Sequence, residues 1–376
     1  KLYRDLVKLL NDYRVMDKFP KIKYSKKTLK LGDRSSRVEE IKKRLQITGD
    51  YPKKAPIDNT FDQTLKRAVM TYQKRYLIKV TGMVDRTTTY YLNLPVKNNI
   101  QAIITNLDKT KLYPKQFEDE YIEVNIPDFN LRYYKEGEQI MKKGIVVGRI
   151  DRPTPIFSNA IRYMVLNPTW TITDNLVKRD LIPVFREDPM YLEENNIHAF
   201  RGKKEVEVTP EMLAPYEKSE ERVPYRFVQF PGDNNALGRV KFMFPNKYDV
   251  YLHDTDNKSL LSRRYKIYSS GCMRLEKPFD LVSLLLEHVR KRYSQNEIDE
   301  ILESNEPTII GLRQTVPIHM LYFTVYEEDG LAYFKNDIYL YDKIIEESVV
   351  GNKKATFTVP KKRMISVKKN AQPLSN

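Results

Sequence analysis

The hydrophobic pattern of this 376-residue chain changes its period near residue 120. Between Leu29 and Pro95, apolar residues recur every three or four positions, which is typical of amphipathic helices. Beyond residue 120, segments such as YIEVNIP, NLRYYKEGE and KKGIVVGRI alternate apolar and polar residues, which predicts strands joined by a turn at Glu136-Gly137. We therefore expect a multi-domain α+β protein in which a small helical module precedes a mainly β domain.

Three short helices are predicted in the first module. Ser36 and Glu39 form a candidate capping box for the first helix, and Gly49 is placed to end it. The third helix follows Asp85 and ends near Leu94. The second helix carries an apolar stripe made of Phe61, Leu65, Ala68, Val69, Tyr72 and Tyr76.

The β domain has further predicted strands, and helices are added to it. The additional strands are IRYMVLNPTW, RFVQF, VKFMF, DVYLHD and a hairpin that turns at Asp329-Gly330. One helix is predicted from Asp280 to about Tyr293 and another from Ser294. Residues 171–221 show no strand pattern, and proline would break any long helix there, so we expect an inserted helical cap.

These patterns divide the chain into segments. We assign 1–28 to a residual helical segment, 29–96 to the helical module, 97–119 to a linker, 120–346 to the β domain with its insertion at 171–221, and 347–376 to a basic tail.

The charge and cysteine content limit the classes of function. The net charge is +15, but 65 basic residues are interspersed with 50 acidic ones, and no zinc-finger or RNA-recognition spacing occurs. Carboxylate-rich peptides or another polyanion are therefore favoured over nucleic acid as partners. A single cysteine excludes an internal disulfide and a cysteine-based zinc site, and we expect no metal or organic cofactor. The apolar runs are too short to span a bilayer, and no leader pattern is seen, so we expect a signal or anchor to be absent from these residues.

The single cysteine, Cys272, lies in the segment SSGCMRLEKP. A lone cysteine is commonly a small buried hydrophobe, whereas a nucleophilic one needs a base beside it. Of the four histidines, His253 ends a predicted strand, where a side chain can reach a cleft. His198 lies in the insertion, His288 near an apolar helix stripe, and His319 at a strand start without a polar neighbour in sequence.

Two segments resemble protein families that act on bacterial cell walls. LKLGDRSSRVEEIKKRLQITGDY and FDQTLKRAVMTYQKRYLIKVTGMVDRTTTYYLN are similar to the peptidoglycan-binding domain, which implies either glycan or stem-peptide binding or a spacer role. KFMFPNKYDVYLHDTDNKSLLSRRYKIYSSGCMRLEKP resembles the active-site segment of the L,D-transpeptidases, the YkuD fold. Together with NPTWT and the serine before Gly271, it is most similar to the YcbB-like subgroup, whose members carry an inserted cap.

The second resemblance implies catalytic roles for particular residues. Cys272 would be the nucleophile, His253 the general base and acid, and the backbone of Ser270 and Gly271 the oxyanion hole. Which group orients His253 stays open. The candidate substrate-binding residues are Ser269, Arg274 (alternatively a hydrogen-bond hub), Tyr251 (alternatively a packing residue) and Trp170 (alternatively a core anchor).

The resemblance further implies a periplasmic enzyme that forms 3-3 cross-links between peptidoglycan stem peptides. Carbapenem-type β-lactams would be its inhibitors, and other cell-wall enzymes are candidate partners. An L,D-carboxypeptidase or a lipoprotein-anchoring transpeptidase would use the same residues. A non-enzymatic protein that binds cell wall or polyanions is the alternative from another class.

Overall fold

The computed structural model describes residues 2–16 and 19–350, and the side chains up to residue 348. Their contacts form two compact units. The first unit contains the residues up to Phe117 and those from Tyr322 onward, and the second contains Glu118–Leu321. The basic tail from residue 351 lies outside the described residues. None of the helices described is long and apolar enough to cross a membrane.

The elements follow in chain order. The helices are α1 (Leu2–Arg14), α2 (Ser36–Ile47), α3 (Gln63–Arg75), α4 (Arg86–Leu92), α5 (Val96–Lys109), α6 (Asp174–Leu176), α7 (Ile182–Glu187), α8 (Tyr191–Glu194), α9 (Pro210–Leu213), α10 (Pro278–Leu285), α11 (Gln295–Ser304) and α12 (Tyr341–Val350). The strands are β1 (Glu120–Asn125), β2 (Asn130–Lys135), β3 (Glu138–Gly148), β4 (Ser158–Leu166), β5 (Trp170–Ile172), β6 (Ile197–Arg201), β7 (Lys204–Val206), β8 (Arg226–Gln229), β9 (Val240–Met243), β10 (Leu252–His253), β11 (Ile267–Ser269), β12 (Met273–Leu275), β13 (Thr308–Leu321), β14 (Val325–Glu328) and β15 (Leu331–Phe334).

The three predicted helices of the first module are α2, α3 and α4, and their apolar stripes are buried together. Burial of these stripes is the main stabilising contribution. The predicted capping box is wrong by one residue. Ser35, not Ser36, caps α2 by accepting a hydrogen bond from the Arg37 amide, while Asp62 and Asp85 cap α3 and α4.

The hairpin β14–β15 belongs to the first unit, although the sequence analysis assigned residues up to 346 to the β domain. Its Phe334 ring stacks on Tyr76 of α3 with centroids 5.1 Å apart. The buried Arg75 guanidinium donates to the Ala332 carbonyl at 2.6 Å and pairs with Asp50. The segment 97–119 was predicted as a linker, but all except the first residue of the 14-residue helix α5 lies in it, and Ile103 of α5 is part of the same core.

In the second unit a nine-stranded sheet has the order β11-β3-β12-β10-β9-β4-β13-β1-β2. Because β2 also pairs with β3, the hydrogen-bonded ladder closes on itself. The turn Glu136-Gly137 between β2 and β3 has positive φ at both residues, as predicted. Closure leaves β12 paired with β3 on one side and with β10 on the other.

The insertion after β4 contains short helices, but the prediction that it lacks strands is wrong. A separate four-stranded sheet has the order β5-β8-β6-β7. Strand β8, the predicted RFVQF strand, pairs here and not in the large sheet. This sheet and the helices α6 to α9 share one core, to which Trp170 and Phe227 contribute. Local alternation in the short β6 and β7 was too brief to identify them in sequence.

Candidate active site

The registers of three adjacent strands bring the candidate residues onto one face of the sheet. His253 on β10 pairs with Arg274 on β12 in parallel and with Lys241 on β9 in antiparallel register. The Met273 amide donates to the Tyr251 carbonyl at 3.0 Å, so Cys272 lies beside Tyr251. Because side chains alternate along a strand, these five residues share the same face. We call Lys241, Tyr251, His253, Cys272 and Arg274 the cysteine face.

The Cys272 thiol is 7% exposed and donates a long hydrogen bond of 3.9 Å to the Asp249 carbonyl. Burial raises the pKa of this thiol to about 12. The Tyr251 amide and the charges of Arg274 and Lys241 act in the opposite direction, since each stabilises a thiolate. The resting group is therefore a neutral thiol at physiological pH.

His253 is fully buried, and neither ring nitrogen makes a hydrogen bond of ordinary geometry among the described residues, although the Asp254 backbone acts to raise the pKa of the ring. Burial, followed by the charge of Arg274, lowers the pKa of its imidazole to about 3. The ring lies 5.7 Å from that of Tyr251. A neutral imidazole with a free nitrogen lone pair can accept a proton, which is the state that a general base requires.

Two cations complete the electrostatics of the cysteine face. Burial lowers the pKa of Arg274 to about 10 and also lowers that of Lys241. At about 10, the pKa of Arg274 leaves its guanidinium positive at neutral pH. Negative charge that develops near Cys272 would therefore be stabilised, whereas an imidazolium at His253 would be disfavoured.

The turn after β3 holds the residues that precede Cys272. We call residues 148–154 the 148–154 loop and the segment that ends at Cys272 the 269–272 loop. The Arg149 amide donates to the Ser269 carbonyl at 2.9 Å. The Arg152 Nη1 donates to Ser270 Oγ at 2.8 Å, and Thr154 Oγ1 donates to the Gly271 carbonyl at 2.9 Å. Three successive residues are thus each bonded to the 148–154 loop.

Gly148 allows the 148–154 loop to fold back this tightly. A Cβ at this position would lie 2.1 Å from the Arg152 carbonyl oxygen, which no real Cβ tolerates. The Gly148 amide also donates to Thr154 Oγ1 at 2.9 Å, which orients that hydroxyl toward Gly271. Glycine is therefore required here by close backbone approach.

Hydrogen bonds within the 269–272 loop engage one of the backbone amides predicted to form the oxyanion hole. Ser269 Oγ donates to the Cys272 carbonyl at 2.5 Å and accepts from the Gly271 amide at 3.2 Å. Gly271 has φ of +119°, a value that favours glycine. The Gly271 amide is thus already engaged, and Ser269 is a buried structural bridge within the loop.

The remaining predicted residues lie in different surroundings. Trp170 is 2% exposed and lies in the core of the insertion, so the structure places it off the cysteine face. Tyr251 packs against that same core while its ring contacts His253. Arg274 is fully buried on the cysteine face.

The other three histidines each contact a carboxylate elsewhere in the second unit. His198 on β6 bonds to Glu205, and His288 bonds to Glu120 at 3.1 Å. His319 on β13 bonds to Glu118 at 2.9 Å and to Ser158 at 2.8 Å. Of the four histidines, only His253 lies on the cysteine face.

Sequence reasoning missed Lys241, Arg152 and Thr154. Lys241 lies on a strand whose side chains alternate between the two faces of the sheet. The face that Lys241 shares with His253 is set by the register between β9 and β10. Arg152 and Thr154 lie in the turn DRPT, more than 100 residues before Cys272, and only Gly148 gives a local signal of close packing. No group of three or more potential metal ligands occurs within the described part of the chain.

Comparison with known proteins identifies the class. Residues 119–293 match the YkuD family, described as the L,D-transpeptidase catalytic domain, and residues 34–92 match a family described as "Putative peptidoglycan binding domain". A Haemophilus influenzae protein named "Putative L,D-transpeptidase" is 34% identical over 248 residues, which are 66% of this chain and 49% of that protein. This chain therefore spans about half the length of that curated relative.

Solved structures of L,D-transpeptidases are among those similar to this chain. One from Stackebrandtia nassauensis is 11% identical and covers 83% of this chain and 98% of its own, with a TM-score of 0.28. Another, in complex with imipenem, is 13% identical over 54% of this chain and 59% of its own, with a TM-score of 0.25. Scores this low add no argument about the arrangement of the whole chain.

Residues 119–293 form a YkuD domain, the catalytic domain of the L,D-transpeptidases, and a peptidoglycan-binding domain at residues 34–92 precedes it. The predicted fold class, a helical module followed by a mainly β YkuD domain with added helices, is confirmed.

Proposed function

We propose that this protein is a cysteine-dependent L,D-transpeptidase that joins peptidoglycan stem peptides through 3-3 cross-links. The observation that supports this most directly is the cysteine face, where the only cysteine and a neutral, fully buried histidine lie beside two cations. A purely structural cysteine needs neither an adjacent base nor these charges.

In the first half-reaction, His253 accepts the proton of the Cys272 thiol, and the sulfur attacks the carbonyl carbon between the third and fourth residues of a donor stem peptide. Because the Gly271 amide is bonded to Ser269, the oxyanion that forms is stabilised by the backbone amides of Ser270 and Cys272 together with Arg274 and Lys241. The C–N bond then breaks, the imidazolium protonates the departing amine, and a thioester on Cys272 remains. The thiol leaves the Asp249 carbonyl for this step, because its proton passes to His253.

In the second half-reaction, the amine of an acceptor stem peptide attacks the thioester carbonyl. His253 accepts the proton of that amine and returns it to the sulfur as the C–S bond breaks. The product carries a new amide bond, and the enzyme is restored. The insertion packs against Tyr251 and would shield the thioester from water, which favours an amine acceptor.

Water as acceptor would make the same residues an L,D-carboxypeptidase, and a lipoprotein lysine would make them an anchoring enzyme. Incubation of the purified protein with isolated muropeptides separates these outcomes. Cross-linked dimers with loss of the terminal D-amino acid are expected. Tripeptides alone would identify the carboxypeptidase, and no turnover would indicate a protein that only binds cell wall or a polyanion.

The catalytic residue is tested with a carbapenem, which the resemblance implies as inhibitor. The sulfur of Cys272 would add to the β-lactam carbonyl, and the ring C–N bond would open with protonation of nitrogen. Mass spectrometry should show one adduct per chain with imipenem. Cys272→Ala should remove both the adduct and the cross-linking without unfolding the protein, and an adduct on this variant would overturn the assignment.

Two wider assignments follow from the family. Substrates of this kind lie outside the cytoplasmic membrane, so we propose a periplasmic location and a YcbB-like subgroup. The peptidoglycan-binding domain would concentrate the enzyme on its polymer, with other cell-wall enzymes as candidate partners. Fractionation of cells that produce the intact protein tests the location, and sedimentation with purified sacculi tests the binding.

A further inference from the structure

One buried guanidinium connects the insertion to the loop that ends in Cys272. The Arg152 Nη1 donates to Asp180 Oδ2 at 2.5 Å and to Ser270 Oγ at 2.8 Å, while its Nη2 donates to Asp180 Oδ1 at 3.2 Å. The Arg152 side chain is 9% exposed. A bidentate pair of this kind fixes the guanidinium plane, and the third hydrogen bond transfers that orientation to Ser270.

The position of Asp180 is fixed by the packing of the insertion. Asp180 lies in a π-helical turn, Val177–Leu181, between α6 and α7. Its neighbours Val177, Leu181 and Ile182 are buried in the core of the insertion. Since π turns place side chains where a regular α-helix would not, the turn directs this carboxylate at Arg152. A displacement of the insertion core would therefore carry Asp180 away from the guanidinium.

The surrounding charges make the Asp180 carboxylate the main anion for Arg152. The Arg149 guanidinium lies 3.9 Å from Asp180. The Asp151 carboxylate is half exposed and lies 3.8 Å from Arg152 and 3.3 Å from the Arg179 guanidinium. Loss of the Asp180 charge would leave these three guanidinium groups with one solvent-exposed carboxylate. Repulsion among them would shift Arg152, whose hydrogen bond to Ser270 depends on its present position.

We infer that Arg152 and Asp180 are positioning residues that couple the insertion to the 269–272 loop, so that the nucleophile is held for attack only while the insertion is packed in place. This inference rests on the proposed catalytic role of Cys272. Asp180 acts through Arg152, and Arg152 acts through Ser270. Neither carboxylate nor guanidinium needs to touch the reacting atoms.

The test compares Asp180→Asn, Arg152→Met and the double variant, with the rate of Cys272 acylation by imipenem as readout. Asparagine keeps the size of Asp180 and removes its charge. We expect Asp180→Asn to slow acylation about 10-fold and Arg152→Met by about 10- to 100-fold, the range for misplaced reacting groups. The double variant should equal Arg152→Met. Arg179→Met is the matched control and should react like the unmodified protein, because it removes an exposed guanidinium that pairs with Asp151 and not with Asp180 among the described residues.

A second cycle uses Ser270→Ala and covers the case in which Arg152→Met fails to fold. Asp180 bonds to Arg152 and not to Ser270, so the hydrogen-bonded route between these two side chains passes through the Arg152 guanidinium. In the Ser270→Ala background, Asp180→Asn should no longer slow acylation, although it should still lower the melting temperature. If the ion pair only stabilised the fold, Asp180→Asn would lower the melting temperature with and without Ser270→Ala. It would then also slow acylation of Cys272 by the same factor in both cases.

Alkylation of Cys272 by iodoacetamide keeps the test independent of enzymatic chemistry. The thiol loses its proton to solvent and the thiolate displaces iodide, so the rate depends on access to the thiol and on its ionisation, and relief of burial increases both. A loosened 269–272 loop should expose the 7%-exposed thiol, and Asp180→Asn should therefore alkylate faster while it acylates more slowly. An equal slowing of acylation by Asp180→Asn with and without Arg152, or no effect of Asp180→Asn on either rate, would overturn the coupling. Absence of acylation in the unmodified protein would instead refute the proposed function.

Discussion

His253 and Arg274 are register partners on the parallel strands β10 and β12, so a guanidinium lies beside the imidazole on one face of the sheet. The positive charge opposes protonation of His253 and favours ionisation of Cys272. The pair therefore separates the two tasks of the site. His253 is kept neutral and able to accept a proton, and the negative charge formed during attack has a cation nearby.

The four histidines should differ sharply when changed to alanine. His253→Ala should slow acylation of Cys272 by ~10²- to 10⁴-fold, because this removes the general base. Single changes of His198, His288 and His319 should have much smaller effects, with lower stability for His288→Ala through loss of its bond to Glu120. A folded variant of one of these three with the rate loss of His253→Ala would show that the base is misassigned.

The pH dependence of acylation should reflect a neutral pair. The pKa values of about 3 for His253 and about 12 for Cys272 leave imidazole and thiol both uncharged over the whole neutral range. We expect the acylation rate to be nearly constant between pH 6 and 9 in stopped-flow measurements. A tenfold rise per pH unit across that range would indicate attack by a pre-formed thiolate and would contradict transfer of the proton to His253 during attack.

Burial of His253 should also make the protein sensitive to acid. The pKa of about 3 in the folded state lies below the ordinary value of about 6.5 in the unfolded chain, so the unfolded chain binds the proton first as pH falls. This contribution to stability is complete above pH 6.5 and is lost progressively toward pH 3, by about 1.4 kcal/mol per pH unit.

His253→Gln removes the titrating group while keeping a polar side chain of similar size. Urea unfolding of both proteins should therefore show a smaller loss of unfolding free energy for the variant as pH decreases from 6.5 to 4.5. Parallel curves for the two proteins would contradict a neutral, buried His253.

Gly148→Ala should disrupt the 148–154 loop, because its Cβ would collide with the Arg152 carbonyl oxygen. We expect a lower melting temperature and slower acylation of Cys272, since the same loop bonds to Ser269, Ser270 and Gly271. Gly311→Ala is the matched control, because a Cβ there meets no atom within 4 Å. Equal behaviour of the two variants in calorimetry and acylation would show that the close approach is not required.

Local periodicity was sufficient to predict the helices α2 to α4 and the strands β1 to β4, β9 and β10 of the large sheet, because one buried face repeats within each element. The three-residue strands β11 and β12 and most of β13 were not predicted. It also placed His253 and Tyr251 on a common side of their strand, which the ring contact agrees with. It could not reveal that β8 pairs with β5 and β6, since strand register depends on residues far apart in sequence.

The same limitation applies to the candidate site. Cys272 and His253 are close in sequence, and a strand end with a glycine-cysteine pair is a local signal. Arg152, Asp180 and Lys241 come near the 269–272 loop or the cysteine face only after the sheet closes and the insertion folds. Their types, two basic residues and one acid, are common throughout this chain and do not distinguish them from solvent-exposed charges.

The return of the hairpin β14–β15 to the first unit has a consequence for biosynthesis. The Arg75 guanidinium obtains its Ala332 acceptor 257 residues later, and Phe334 covers Tyr76. During translation the first unit is thus without part of its core until the hairpin emerges from the ribosome. Among the described residues, the second unit is the continuous stretch Glu118–Leu321, which is synthesised before the hairpin. Chain elongation therefore favours an order in which the later-encoded unit matures before the earlier one.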